Sequence, residues 1–436
     1  MRRFVAAAVF MCLAGPASAD ALTDAVAADT PYLVALYKHL HANPEVSFEE
    51  VETSARMAAE LKKAGFVVTT GVGKTGVVAV LKNGDGPVVM LRADMDGLPV
   101  TEETGLPYAS MKTIQVPGVG SSGVMHACGH DIHMTSMIGT ARRLAAAKAE
   151  WSGTLVIIMQ PAEERGGGAR DMLADGLYTR FPKPAHVIGL HDSATLPAGT
   201  LGISDGYVMA NVDSVDIEVK GKGGHGAYPH TTKDPIVLAS RIVGALQTLI
   251  SRELDPQTPA VVTVGAFNAG TKHNIISDGA HLQLTVRSYS DETRQYLIDG
   301  IKRIVRGEAI AAGMPEELMP VVIVADEFTP ATYNTPTQTT TIKAAFAERF
   351  GEDKVKPYLP EMGGEDFSRY YRADKSIEST LFRVGAVKQS TYDAAGGDPT
   401  KLPSLHSSKF APDPEPTIRT GVEAMVTAAR TVLGKR

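Results

Sequence analysis

The sequence predicts an α/β protein in which a mostly parallel sheet flanked by helices is interrupted by a second, separately packed unit. Three observations carry this. Apolar β-rich runs alternate with helical patterns from Tyr32 to about Asp205. The order then changes to strand, helix, two strands, helix and strand. With 436 residues, the chain also exceeds the size at which one hydrophobic core usually stops growing.

The first element is not part of the fold. Residues 1–19, MRRFVAAAVFMCLAGPASA, begin with Arg2 and Arg3, continue as an apolar run and end in small residues, the pattern of a secretory signal peptide cleaved after Ala19. The expected destination is the periplasm. The apolar run is shorter than the roughly 20 residues of a membrane span, and no later stretch reaches that length.

Residues 20–207 are predicted as the first part of a catalytic domain. Helices are expected at PYLVALYKHLHA and EEVETSARMAAELKKAG, and strands at GVVAVLKN, PVVMLRA, GTLVIIMQ and AHVIGL. Residues 208–327 carry strands at NVDSVDIEVKG, AVVTVGAF, AHLQLTVRSY and PVVIVAD. Helices separate them at DPIVLASRIVGALQTLISREL and DETRQYLIDGIKRIVRGEAIAAG. That βαββαβ order is the ferredoxin-like unit, here an insertion. Residues 328–436 return to the first domain with a helix at TPTQTTTIKAAFAERFG, a strand at STLFRVGAV and a last helix after Pro416.

The formal charge is −6, and loss of Arg2 and Arg3 makes it more negative. With no run of Lys or Arg, nucleic acid and anionic membranes are poor partners. Removing the leader also removes Cys12 and leaves Cys128 alone. A secreted chain with one cysteine has no internal disulfide, so this thiol is a bystander, a nucleophile or a metal ligand.

The polar residues decide among these. VVMLRADMD ends in Asp94 and Asp96, LVIIMQPAEE in Glu163 and Glu164, and VIGLHD in His191 and Asp192. In open α/β sheets the ligand crevice lies beyond the carboxyl ends of the strands, so these groups should converge. Singly, each has a plainer role as a solvated turn, a helix start or a core histidine. Together with GVMHACGHDIHM they point to a metal centre. Gly129 lets Cys128 and His130 face one ion, and thiolate, imidazole and carboxylate ligands suit zinc or manganese. His126 and His133 are assigned supporting places, and His406 in LHSSKF is a further candidate.

Two rival readings fail on context. GVGSSG, from Gly118 to Gly123, matches GxGxxG, but a proline precedes it, and the histidine cluster follows where a helix should open. Its glycines are expected to be a flexible approach to the metal loop. A nucleophilic Cys128 with His126 or His130 as base leaves the glutamate pair and His191 unexplained.

LRADMDGLP, MHACGHDIHM, QPAEERGGGARDML, GLH, GKGGHGAYPH, HNIISDGAHLQLTVR, MGGEDFSRY and LHSSKF together resemble the co-catalytic metallopeptidases of the aminoacylase and carboxypeptidase type. The branch is that of hippurate hydrolase, N-acyl-amino-acid amidohydrolase and the indole-acetyl-amino-acid hydrolases. The resemblance implies two divalent ions, zinc or manganese, held by Cys128, His130, Glu164, His191 and His406. It further implies Glu163 as general base and Asp96 as the residue that orients the site, with Asp94 where other branches carry a histidine. The insertion corresponds to a dimerisation or lid domain. From it His225 reaches a substrate carbonyl, often in the neighbouring subunit, and Asn274 and Arg287 bind the substrate carboxylate. The implied activity is hydrolysis of N-acyl amino acids by a homodimer. The alternatives are a carboxypeptidase or dipeptidase, and a catalytically silent binding protein of the same fold.

Overall fold

The computed structural model describes residues 21–435. The expected signal peptide lies outside the described residues. An eight-stranded sheet forms the main body, and its centre is four parallel strands, Gly153–Gln160, Val88–Asp94, His186–Pro197 and Glu378–Val387. Antiparallel strands Val67–Val72 and Gly76–Asn83 extend one side. The short strands Leu201–Gly202 and Val355–Lys356 close the other.

Both faces of this sheet are covered, which is why its strands are apolar throughout rather than alternating with polar residues. Leu155, Ile157 and Met159 point into a core shared with helices Ala21–Ala42, His130–Ala146 and Pro414–Val432, while Val156 and Ile158 enter a second core on the opposite face. The C-terminal helix begins at Pro414, earlier than the sequence reading placed it. Proline fits the first turn of a helix, where no N–H partner is needed, so Pro414 and Pro416 both sit inside.

A second sheet, antiparallel and four-stranded, is built from Asn211–Lys220, Ala260–Ala269, Gly279–Ser288 and Val321–Val324. Helices Pro235–Thr248 and Asp291–Ala311 cover one face and give it a core of its own around Val215, Ile217, Leu282 and Leu297. Ser214 and Glu218 on the other face are exposed, the alternation expected of a half-covered sheet. This unit joins the main body through two strands that run side by side, Gly206–Met209 and Thr332–Asn334.

One local expectation is corrected. GVGSSG is neither a nucleotide loop nor an irregular approach but the turn and return strand of a hairpin, Thr113–Val116 with Gly120–Gly123. Gly118 and Gly120 hold φ of 79° and 104°, values that favour glycine in a tight reversal.

Candidate active site

The strands ending in Gln160 and Asp94 and the strand carrying His191 are adjacent and parallel, so their polar residues meet at one end of the sheet. His191 and Asp192 are not at a strand end, because His186–Pro197 runs on past them. Its pairing with Val88–Asp94 stops at Gly189 opposite Arg92, whereas its pairing with Glu378–Val387 continues. The sheet therefore parts on one side at His191, and the crevice opens there.

Cys128 sits at the centre. Its Sγ lies 3.5 Å from Nε2 of His191 and 3.3 Å from Nε2 of His406. Oε1 of Glu164 is 3.6 Å from Nε2 of His406 and 3.9 Å from Nε2 of His130. The donors of Cys128, His130 and His191 form one compact trio, and those of Cys128, Glu164 and His406 another. Gly129, with φ of 74°, makes the sharp entry to helix His130–Ala146, and a Cβ there would overlap the Asp192 carboxylate. His406 is held at φ of 66°, unusual for a residue with a Cβ, with its N–H donating to Ala127 O at 2.8 Å.

Asp96 ties the base of the site together. One oxygen accepts the N–H of Glu163 at 3.0 Å and lies 3.4 Å from Nδ1 of His130, and the other accepts Ser47 Oγ at 2.6 Å and the N–H of Glu164 at 3.1 Å. Asp94 faces inward as well. It pairs with Arg92 and His133, and its Oδ2 lies 3.6 Å from Nε2 of His130. His133 bridges Asp94 and Asp192, so it braces the cluster from beneath. His126 is buried, with neither ring nitrogen hydrogen-bonded among the described residues.

Sequence reasoning missed the frame behind these groups. Arg92 is fully buried and reaches Asp94, Glu365 and Asp366, while Glu50 accepts the N–H of Ala162 at 2.8 Å and fixes the turn into the glutamate pair. Ala162 adopts φ of 47° there. The one available signal was an arginine and a glutamate–aspartate pair inside otherwise apolar stretches, LRAD and GGEDF.

The electrostatics call for cations. Burial, then the charges of Glu365 and Glu164, push Glu163 well above the carboxylate range, and burial above all raises Glu164 to about 7. Burial, followed by Glu164 and Glu163, also drives the Cys128 thiol upward. His191 is held below its ordinary value by burial and then by the Arg383 guanidinium, so it stays a neutral donor. Both nitrogens of His130, Oε1 of Glu164 and Oδ2 of Asp192 are buried without a hydrogen-bond partner among the described residues. Orphaned donors of this kind beside a thiol and packed carboxylates fit divalent metal ions.

Cys128, Glu163, Glu164, His191 and His406 line a cavity of about 680 Å³, joined from the inserted unit by Arg287. Arg287 donates to Met362 O at 3.1 Å and so reaches across to the main body. His130 and Asp96 are buried and do not line the cavity. His225 and Asn274 are not among its lining residues. They lie together elsewhere on the insertion, where Gly226 N–H donates to Asn274 O at 2.9 Å, and both side chains are exposed.

The sequence pattern of the peptidase family M20/M25/M40 matches residues 90–400. The chain is 40% identical to the hippurate hydrolase of Campylobacter jejuni over 78% of its own length and 85% of that protein. It is 35% identical to thermostable carboxypeptidase 2 of Saccharolobus solfataricus over 90% of this chain and 93% of that one. Among solved structures, the Bacillus subtilis YXEP protein, described as a dinuclear metal-binding peptidase of the M20 family, superimposes with a TM-score of 0.74 at 31% identity. That match covers 92% of this chain and 98% of the other. The resemblance read from the motifs therefore holds: the chain belongs to peptidase family M20/M25/M40 and is a hydrolase of amide bonds.

Proposed function

We propose that this enzyme cleaves N-acyl amino acids, of the hippurate-like or other aromatic-acyl kind, to a carboxylic acid and a free amino acid. The observation that carries the reading is the position of Cys128, whose sulfur belongs to both donor trios, one with His130 and His191 and the other with Glu164 and His406. Cys128, His130, Glu164, His191 and His406 would hold two divalent ions, zinc or manganese. Such ions supply acidification of a water and polarisation of the amide carbonyl. Glu163, beside His130 and rich in proton affinity, takes the proton of the attacking water and returns it to the departing amine. Asp96 holds His130 and the backbone of both glutamates in register. Arg287 pairs with the substrate α-carboxylate across the cavity.

His225 and Asn274 complete the site from a second copy of the chain. The open edge of strand Ala260–Ala269, with exposed Phe267 on it, and the exposed Val237 and Ile275 elsewhere on the insertion support a homodimer formed through the insertion. Export to the periplasm with cleavage after Ala19 completes the proposal, and the mass of the mature chain tests that part.

Carboxypeptidase or dipeptidase activity is the second reading, favoured by the similarity to a carboxypeptidase. A panel of N-acyl amino acids and dipeptides offered to the metal-reconstituted protein separates the two. Preference for benzoylglycine over dipeptides is expected, and the reverse order would overturn the first reading.

A further inference from the structure

Glu163 and Glu164 stand on a loop that leaves strand Gly153–Gln160 and enters helix Gly168–Ala174. Its second half is Gly166, Gly167 and Gly168, and glycine adopts many backbone conformations at little cost. Such a loop has no stiffness of its own, yet it closes tightly. Gly167 and Gly168 both donate their N–H to Ala162 O at 3.2 Å, and a Cβ on Gly168 would overlap the carbonyl oxygen of Pro161.

One side chain from far along the sequence ties the two ends of this loop together. Asp366 is fully buried and does not line the catalytic cavity. Its Oδ1 accepts from Nε2 of Gln160 at 2.6 Å, before the glutamate pair, and its Oδ2 accepts the N–H of Ala169 at 3.0 Å, after it. The Gln160 amide is itself oriented, because its Oε1 accepts from Nε of Arg92 at 2.9 Å and from the Tyr370 hydroxyl at 2.8 Å. Nη2 of Arg92 donates to Asp366 Oδ1 at 3.2 Å and completes the tie.

We propose that Asp366 is a positioning residue for the hydrolysis: by joining Gln160 to Ala169 it closes the loop and sets the place of the Glu163 carboxylate in the cavity wall. The inference rests on Glu163 being the base of the proposed reaction. A carboxylate suits the task because both of its oxygens accept. An amide of the same shape accepts at one end only and turns a donor toward the other N–H. With the tie cut at one end the glycines relax, and a misplacement of about 1 Å can cost on the order of 10²-fold in rate.

The test compares Asp366→Asn, Glu163→Gln and the double variant. Turnover is taken per metal-loaded subunit, so neither unfolded protein nor metal lost through Glu164 counts as the effect. Asp366→Asn is expected to lose about 10- to 100-fold in kcat, with KM within about threefold of wild type. In the Glu163→Gln background the same change should cost less than about twofold, since a base that is absent cannot be misplaced. Equal losses in the two backgrounds would mean that Asp366 acts by another route, and would overturn the proposal. So would an effect confined to KM, or a kcat within about twofold of wild type in Asp366→Asn. Full turnover in Glu163→Gln alone would bring down the base assignment and this inference with it. A loss there with none in Asp366→Asn would bring down the inference alone. Gln160→Met removes the donor at the other end of the tie and is read in the same way where Asp366→Asn folds poorly.

Discussion

Nε2 of His406 lies 3.3 Å from Sγ of Cys128, although 278 positions separate the two in the chain. At that distance both atoms can serve one ion, and an occupied thiolate loses its nucleophilicity. Iodoacetamide should modify Cys128 slowly in the metal-loaded protein and readily after chelation. Equal rates, read by mass spectrometry, would make Cys128 a bystander.

Glu163 and Glu164 are adjacent, and the proposed mechanism gives them different tasks. Glu163→Gln should retain metal and lose roughly 10²–10⁴-fold in turnover, as expected when a general base is removed. Glu164→Gln should lose metal as well. Metal content measured beside activity decides this, and equal metal loss in both variants refutes the division of labour.

A side chain at position 129 meets two penalties, the left-handed backbone and the Asp192 carboxylate. Gly129→Ala is expected to lower stability by roughly 1–3 kcal/mol. Because Cys128 and His130 flank the turn, metal affinity should fall with it. Thermal melts with and without chelator report both effects.

His41 is buried between Asp131 at 2.7 Å and Glu102 at 3.1 Å. Burial opposes its charge, but hydrogen bonds to the two carboxylates win and raise its pKa from 6.5 to about 10. The folded state thus binds this proton more tightly than the unfolded state. Its contribution to stability is complete below about pH 6.5 and is lost as pH rises toward 10. Denaturant melts of wild type and His41→Gln should differ most below about pH 6.5 and converge near pH 10. A constant gap across that range would exclude the triad as the source.

If His225 serves the neighbouring copy, mixing inactive Glu163→Gln and inactive His225→Ala subunits should restore part of the activity in heterodimers. Silence in confirmed heterodimers would put His225 in its own subunit's site. A fully active monomer would remove the dimer from the account.

The convergence of these groups into one candidate metal-binding cluster was legible because each part is a local anomaly: Asp94, Glu163 and His191 interrupt apolar β runs, and Cys128 and His130 flank a glycine. The inserted βαββαβ unit was equally legible, since its helices and strands each carry their own apolar period. What escaped was assembled at long range. Arg92 meets Glu365 and Asp366 only after the sheet is complete, and no spacing rule links them. The place of His191 within its strand depends on where one neighbour stops pairing, which a single strand's sequence does not encode.

The central position of Glu378–Val387 in the main sheet bears on how the chain is made. During synthesis its neighbour His186–Pro197 leaves the ribosome early and must wait, edge unpaired, while the whole insertion is translated. The insertion has all its strands in hand and can condense first. Until residues 378–387 arrive, close to the end of the chain, the nascent protein carries a finished small unit beside an open apolar edge. That edge is where a chaperone would be most needed and where a truncated product would aggregate.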